Sequence, residues 1–147
     1  VSATAGEAAG QSGPAERLGF QQGQVVQEIG WDEDSDEELR QSIEEITGNE
    51  LVDDDYGEVV DAVVLWWRDE DGDLVDALIG TTTYLTGDGG VIWLLTPKVG
   101  RDGHVDPSDI AEAAPTAGLS TTSSVPVAPE WSGTRLALPR ARRDPKR

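Results

Sequence analysis

The most constraining feature of this chain is an unbroken apolar run, Val91-Ile92-Trp93-Leu94-Leu95. A glycine turn at Gly89-Gly90 precedes it, and Thr96-Pro97 stops it. A run that short, without alternation, predicts a strand buried on both faces. Such a strand needs a layer on each side of its sheet, which points to an α/β architecture. A second run, Val59 to Trp67, reads VVDAVVLWW, and its β-branched and aromatic content also favours a strand.

The flanking segments complete the alternation. Leu18 and Phe20 are the first residues worth burying, and order is expected to begin near Glu16. Gln24 to Ile29 is expected as a short strand. Ser35-x-x-Glu38 reads as a capping box, followed by Leu39, Ile43 and Ile46 at the spacing of an amphipathic helix that Gly48-Asn49 ends. Glu50 to Val52 reads as a brief edge strand, and Asp53-Asp54-Asp55 as a turn. Asp73 is placed to cap a helix carrying Leu74, Leu78 and Leu85, with Gly80 and the threonines after it weakening the second half. Gly87 to Gly90 is a turn. Asp106-Pro107 opens a third helix around Ile110, and Pro115 with Gly118 closes it. Leu119–Val127 and Trp131–Leu138 read as an antiparallel hairpin.

The fold class is therefore α/β: a mostly parallel sheet flanked by helices and ending in an antiparallel hairpin. Val91–Leu95 should lie at or near its centre. Residues 1–15 are read as a disordered N-terminal tail, 16–139 as one α/β domain and 140–147 as a basic C-terminal tail.

Charge is unevenly placed. The net charge is −18, and the segment Glu28 to Asp76 holds 20 of the 29 acids with only Arg40 and Arg68 as bases. The remainder is balanced, with five bases among the last eight residues. Such a face repels phosphate, so nucleic acid is an unlikely partner except through the basic tail. The plain reading is a solvated, solubilising surface. The functional one is a face that binds a basic protein, with Glu37, Glu38, Glu44, Glu45, Asp53, Asp54 and Asp55 as contacts. A variant of it is an acidic decoy of a basic nucleic-acid-binding partner. No apolar run approaches the roughly 20 residues of a membrane helix, and the first residues lack a basic and an apolar region. The expectation is a cytoplasmic protein without membrane association; oligomeric state is left open.

Motifs for chemistry are sparse. No G-x-G-x-x-G opens a helix, and Gly87-x-Gly89-Gly90 precedes a strand instead. Asp32, Asp34 and Asp36 begin a calcium-loop spacing, but Glu37 stands where glycine should turn and Ile43 where the bidentate glutamate should be. With no cysteine and one histidine, structural zinc is not expected. No G-x-S-x-G elbow is present. Neither a catalytic residue nor a metal or cofactor is expected. The best remaining candidate is the crevice at the carboxyl ends of the strands, where open α/β sheets hold ligands. Trp31, Arg68, Thr96, Lys98, Arg101 and His104 would line it, with Lys98 and Arg101 binding a small anion in an enzyme or sensor.

Four blocks carry a resemblance: ERLGFQQGQVVQEIGW, VVDAVVLWWRDEDGDLVDAL, GGVIWLLTPKVGRDGHVDPSDIAEAAPTAGL and WSGTRL. Over about Glu16 to Pro139 the chain resembles domain-of-unknown-function family 3052 in its actinobacterial form. That resemblance brings no catalytic residues. The strand order is also similar to a small class I methyltransferase, whose sheet ends in such a hairpin, and this resemblance implies a Rossmann-like, methyltransferase-like fold. Those proteins hold S-adenosylmethionine with a glycine-rich turn after the first strand. Here that place reads Glu28-Ile29-Gly30-Trp31-Asp32-Glu33-Asp34, one glycine followed by an indole and acids.

Overall fold

The computed structural model describes residues 15, 18–85 and 90–138. The elements are β1 (Val26–Ile29), α1 (Glu37–Thr47), β2 (Ala62–Trp66), α2 (Leu74–Thr82), β3 (Val91–Pro97), α3 (Pro107–Thr116), β4 (Ser120–Ala128) and β5 (Trp131–Ala137), with a short 3₁₀ turn at Asp69–Asp71. The sheet order is β1-β2-β3-β5-β4. β1, β2 and β3 run parallel, and β5 is antiparallel to both β3 and β4. The unbroken run is thus the central strand, as its hydrophobicity requires.

Alternation along the strands sends successive side chains to opposite faces. Val63, Leu65, Ile92, Leu94 and Leu136 meet Leu78 of α2 and Ile110, Ala113 and Ala114 of α3 on one face. Val26, Val64, Trp66, Trp93, Leu95, Val127 and Trp131 meet Leu39 and Ile43 of α1 on the other, together with Leu18 and Phe20. Each buried aliphatic side chain stabilises by about 1.5–3 kcal/mol. Ala15 is already buried, and its N–H donates to Ser42 Oγ at 3.0 Å. The rest of the N-terminal tail, the C-terminal tail and residues 86–89 of the glycine turn lie outside the described residues. No described helix is long and apolar enough to cross a membrane.

Three local expectations are corrected. The N-cap of α1 is Asp36, whose Oδ1 accepts the Leu39 N–H at 2.8 Å, while Ser35 Oγ accepts the Asp32 N–H at 3.0 Å. A carboxylate at the positive end of the helix is the stronger acceptor. α2 stops at Thr82 and does not reach Leu85. The hydroxyls of Thr81, Thr82 and Thr83 donate to the carbonyls of Ala77, Ile79 and Gly80, each at 2.7 Å, which favours a turn over continued helix. Leu85 bridges Val60 instead. Finally, β3 continues through Thr96 to Pro97, because Pro97 pairs with Trp131 of β5. The brief strand at Val52 is a single bridge to Gln27. The buried Gln27 side chain reinforces it by donating to Asp53 O at 2.8 Å.

Candidate functional site

Parallel β1, β2 and β3 end along one edge, so the loops at Gly30, Arg68 and Lys98 gather there. Gly30 fixes the first loop. Its φ is +83°, and a Cβ would stand 2.4 Å from Trp66 O. No other residue lets this turn lie so close to the end of β2.

Arg68 occupies the space behind that turn and is only 8% exposed. Its Nη1 donates to Gly30 O at 2.8 Å and, at greater length, to Trp66 O at 3.4 Å. Nε and Nη2 grip the Asp34 carboxylate, with Nε to Oδ2 at 3.2 Å. Asp71 accepts the Arg68 backbone N–H at 2.9 Å. The guanidinium lies 5.3 Å from the centre of the Trp131 ring, whose Nε1–H donates to Asp34 O at 3.1 Å. Every guanidinium nitrogen therefore has a partner inside the protein. The hydrogen bond from Arg68 holds the Asp34 carboxyl below its ordinary range.

A second ion cluster adjoins the first. Glu28, on β1, accepts from Arg40 Nε at 2.6 Å and Nη2 at 2.9 Å, and from Trp66 Nε1 at 2.9 Å. Arg40 also reaches Glu37 at 2.6 Å and lies 5.8 Å from the Trp31 ring centre. The bond to Glu28 raises the Arg40 guanidinium further above its ordinary value.

The six residues expected to line one crevice divide between the two faces and the rim. Trp31 and Arg68 are on the α1 side, where Trp31 is half-exposed and Arg68 is internal. Thr96 and His104 line a cavity of about 210 Å³ on the α3 side. Arg101 pairs with Glu130 at 2.7 Å on the exposed rim, and Lys98 N donates to Glu130 O at 3.1 Å. The β-sheet separates the first pair from the second, because Thr96 stands on the face opposite Leu95. Asp34, Glu28 and Arg40 were missed; the stretch Trp131-Ser132-Gly133-Thr134 reads in sequence as a tight backbone approach or a binding surface alike, which does not assign Ser132 and Thr134 to a crevice. The i, i+2 spacing of Ser132 and Thr134 in a strand was the one signal available for that pair.

Of the acids expected to meet a partner, Glu37, Glu38, Glu45, Asp53, Asp54 and Asp55 are exposed. Glu44 is half-buried and accepts the Leu51 N–H at 3.0 Å, so part of its role is to hold the chain after α1. Asp53 shapes its own turn, accepting the Asp55 N–H at 3.0 Å.

Comparison with solved structures places the fold. The chain is similar to a SAM dependent methyltransferase from Aquifex aeolicus, with TM-score 0.53 and 15% identity, covering 85% of this chain and 89% of that one. It is similar to the pyocyanin biosynthetic protein PhzM, with TM-score 0.64 and 14% identity over 89% of this chain and 54% of that one. A putative methyltransferase in complex with the Haloferax volcanii Trm112 methyltransferase activator gives TM-score 0.57 and 14% identity, covering 86% and 88%. At such identities the likeness is one of fold. Uncharacterized proteins of Mycobacterium tuberculosis strain H37Rv and of Mycobacterium bovis are each 56% identical over 128 residues, 87% of this chain and 80% of theirs. The model of the family described as Protein of unknown function (DUF3052) matches residues 15–140, and the chain belongs to that family.

Proposed function

We propose that this is a non-catalytic binding protein on a methyltransferase-like fold, which selects a basic protein partner through its acidic half. One observation carries the reading: both bases of the segment Glu28 to Asp76 are engaged inside the protein. Arg68 is held by Asp34 and Gly30, and Arg40 by Glu28 and Glu37. Two consequences follow. The turn after β1, where the resembling methyltransferases hold their cofactor, is filled by a guanidinium and bordered by Asp32, Glu33 and Asp34. Glu28, Glu37, Asp34 and Asp71 pair with these two arginines; the other acids of the segment have no base of the segment left to pair with, and all of them but Asp36 and Glu44 are exposed. A field of that sign draws cationic surfaces over about a Debye length, roughly 8 Å at physiological ionic strength, and raises encounter rates.

Two measurements test the reading. Titration calorimetry with S-adenosylmethionine should give no binding; a Kd near 10 μM, about −7 kcal/mol, would overturn the non-catalytic half. Capture from native lysate, with and without about 0.5 M salt, should yield a basic protein whose association slows when Glu37, Glu38 and Glu45 become Gln. The same should hold when Asp53, Asp54 and Asp55 become Asn. A partner indifferent to salt and to both sets would leave the acidic half as solubilising surface. Competition of that partner between this protein and duplex DNA separates a nucleic-acid decoy from an ordinary complex.

A further inference from the structure

On the face of the sheet away from Arg68, the apolar core gives way to hydroxyls. In register, Ile92 pairs with Leu136, and Leu94 with Thr134, which pairs in turn with Ser124. One row nearer the end of β3, Thr96 pairs with Ser132. Residues directly opposite across antiparallel strands share a face. Thr96, Ser124, Ser132 and Thr134 therefore continue the rows of Ile92, Leu94 and Leu136, and they line the cavity of about 210 Å³ beside Ile110 and His104.

Thr96 is 3% exposed and Thr134 is 6% exposed. Neither hydroxyl has a protein partner among the described residues, and both open onto the cavity. Their oxygens are reached by solvent through that cavity, so they stand on its wall as hydrogen-bonding groups open to a bound molecule. His104 adds a directed acceptor. Its Nδ1 lies 2.9 Å from Pro97 O. A carbonyl only accepts, so Nδ1 carries the proton, and in the neutral ring Nε2 is left with a lone pair.

Among the described residues the same walls carry no permanently charged cation to draw an anion. No lysine or arginine is among the described residues that line the cavity. The start of α3 has no free donor to give, because Pro107 lacks an N–H and the Ser108 N–H is taken by the Asp106 carboxylate at 3.0 Å. What remains is a set of hydroxyls able to donate or accept, one ring-nitrogen acceptor, and apolar sides. The space is smaller than the roughly 300–1,000 Å³ of pockets for drug-sized molecules.

We propose that this cavity binds a small uncharged ring compound with hydrogen-bonding groups on its edge, of the size of a nucleobase or a monosaccharide, held by Thr96, Thr134, Ser132 and His104 Nε2. The proposal is independent of the acidic face. Ligand-observed and amide-shift NMR on the full chain tests it with adenine, uracil, glucose and myo-inositol, and with inorganic phosphate and acetate as charged controls. At least one neutral compound should bind with a Kd below about 1 mM and shift Thr96, His104 and Thr134; which arm responds identifies the source. Thr96→Val and Thr134→Val keep the shape and remove the hydroxyl. Each should weaken that binding about tenfold, while the unfolding midpoint holds or rises, and Ser132→Ala should weaken it as well. The proposal is overturned if none of the four compounds binds, or if phosphate and acetate shift the same residues. It also falls if binding ignores all three substitutions, or if the valine variants unfold readily, which would make the hydroxyls structural.

Discussion

At the carboxyl edge of the sheet, the two faces are filled by opposite means. On the α1 face, charges are packed between strand ends, and every nitrogen of Arg68 meets an acceptor supplied by the protein. On the α3 face, residues of almost the same burial carry hydroxyls that open onto a cavity and have no protein partner among the described residues. A buried charge deprived of its partner is far costlier than a buried hydroxyl in the same state. The first face must therefore be completed internally, whereas the second can be left for something else to complete. The difference separates a place closed by its own ion pairs from one whose hydroxyls stay open to solvent.

The sharpest way to break the comparison is Arg68→Met. It removes the donors to the carbonyls of Gly30 and Trp66 and the packing on Trp131, while Asp34, itself exposed, is left to water; urea unfolding should show a loss of about 3 kcal/mol, since several hydrogen bonds from a charged donor go at once. Gly30→Ala comes next. Both its φ of +83° and the 2.4 Å approach to Trp66 O forbid a side chain, and about 2–3 kcal/mol should be lost. Acid titration of stability gives a smaller effect of known sign. Because the folded Asp34 carboxyl titrates below its ordinary 3.8, its stabilisation is whole above that value and is lost as pH falls through and below it. The gap between wild type and Asp34→Asn in thermal midpoint should close over that acid range and not at neutral pH. On the other face, Thr96→Val and Thr134→Val should change stability by no more than about 0.5 kcal/mol, or raise it, because no protein hydrogen bond is broken. Smallest of all, Glu45→Gln and Asp54→Asn, both exposed, should stay within about 0.5 kcal/mol in urea unfolding. Losses there as large as at Arg68 would erase the distinction between face and crevice.

The fold was legible because hydrophobicity and turn chemistry are local. The run Val91–Leu95 announced a central strand, Asp73 and Asp106 announced their helices, and Gly48 announced an end, each within a few residues of its effect. The crevice was less legible because its partners are distant. Arg68 meets Asp34 across 34 positions, and nothing in either neighbourhood marks the pairing. Grouping Trp31, Arg68, Thr96 and His104 into one site followed from their common place at strand ends. It failed on the face each occupies, which depends on the strand register on which Thr96 and Leu95 take opposite sides. The hydroxyl rows were hidden for a related reason. Thr96, Ser132 and Thr134 reveal the face they share only once the pairing of β3 with β5 is known.

The order of the strands in the sheet has a further consequence for how the molecule is made. β4 precedes β5 in the chain but lies outside it, so β4 has no neighbour until β5 has been synthesised. The indole of Trp131 reaches back 97 positions to Asp34 O. A nascent chain therefore emerges with β1, β2 and β3 able to pair while the far edge of β3, uncharged from Val91 to Leu95, waits uncovered. Uncharged apolar edges are templates for pairing with other chains. A chain that stops before Trp131 leaves that edge of β3 without its partner strand, and the expected outcome is self-association, measurable by light scattering. The last strand to appear is the one that converts β3 from an edge into a centre.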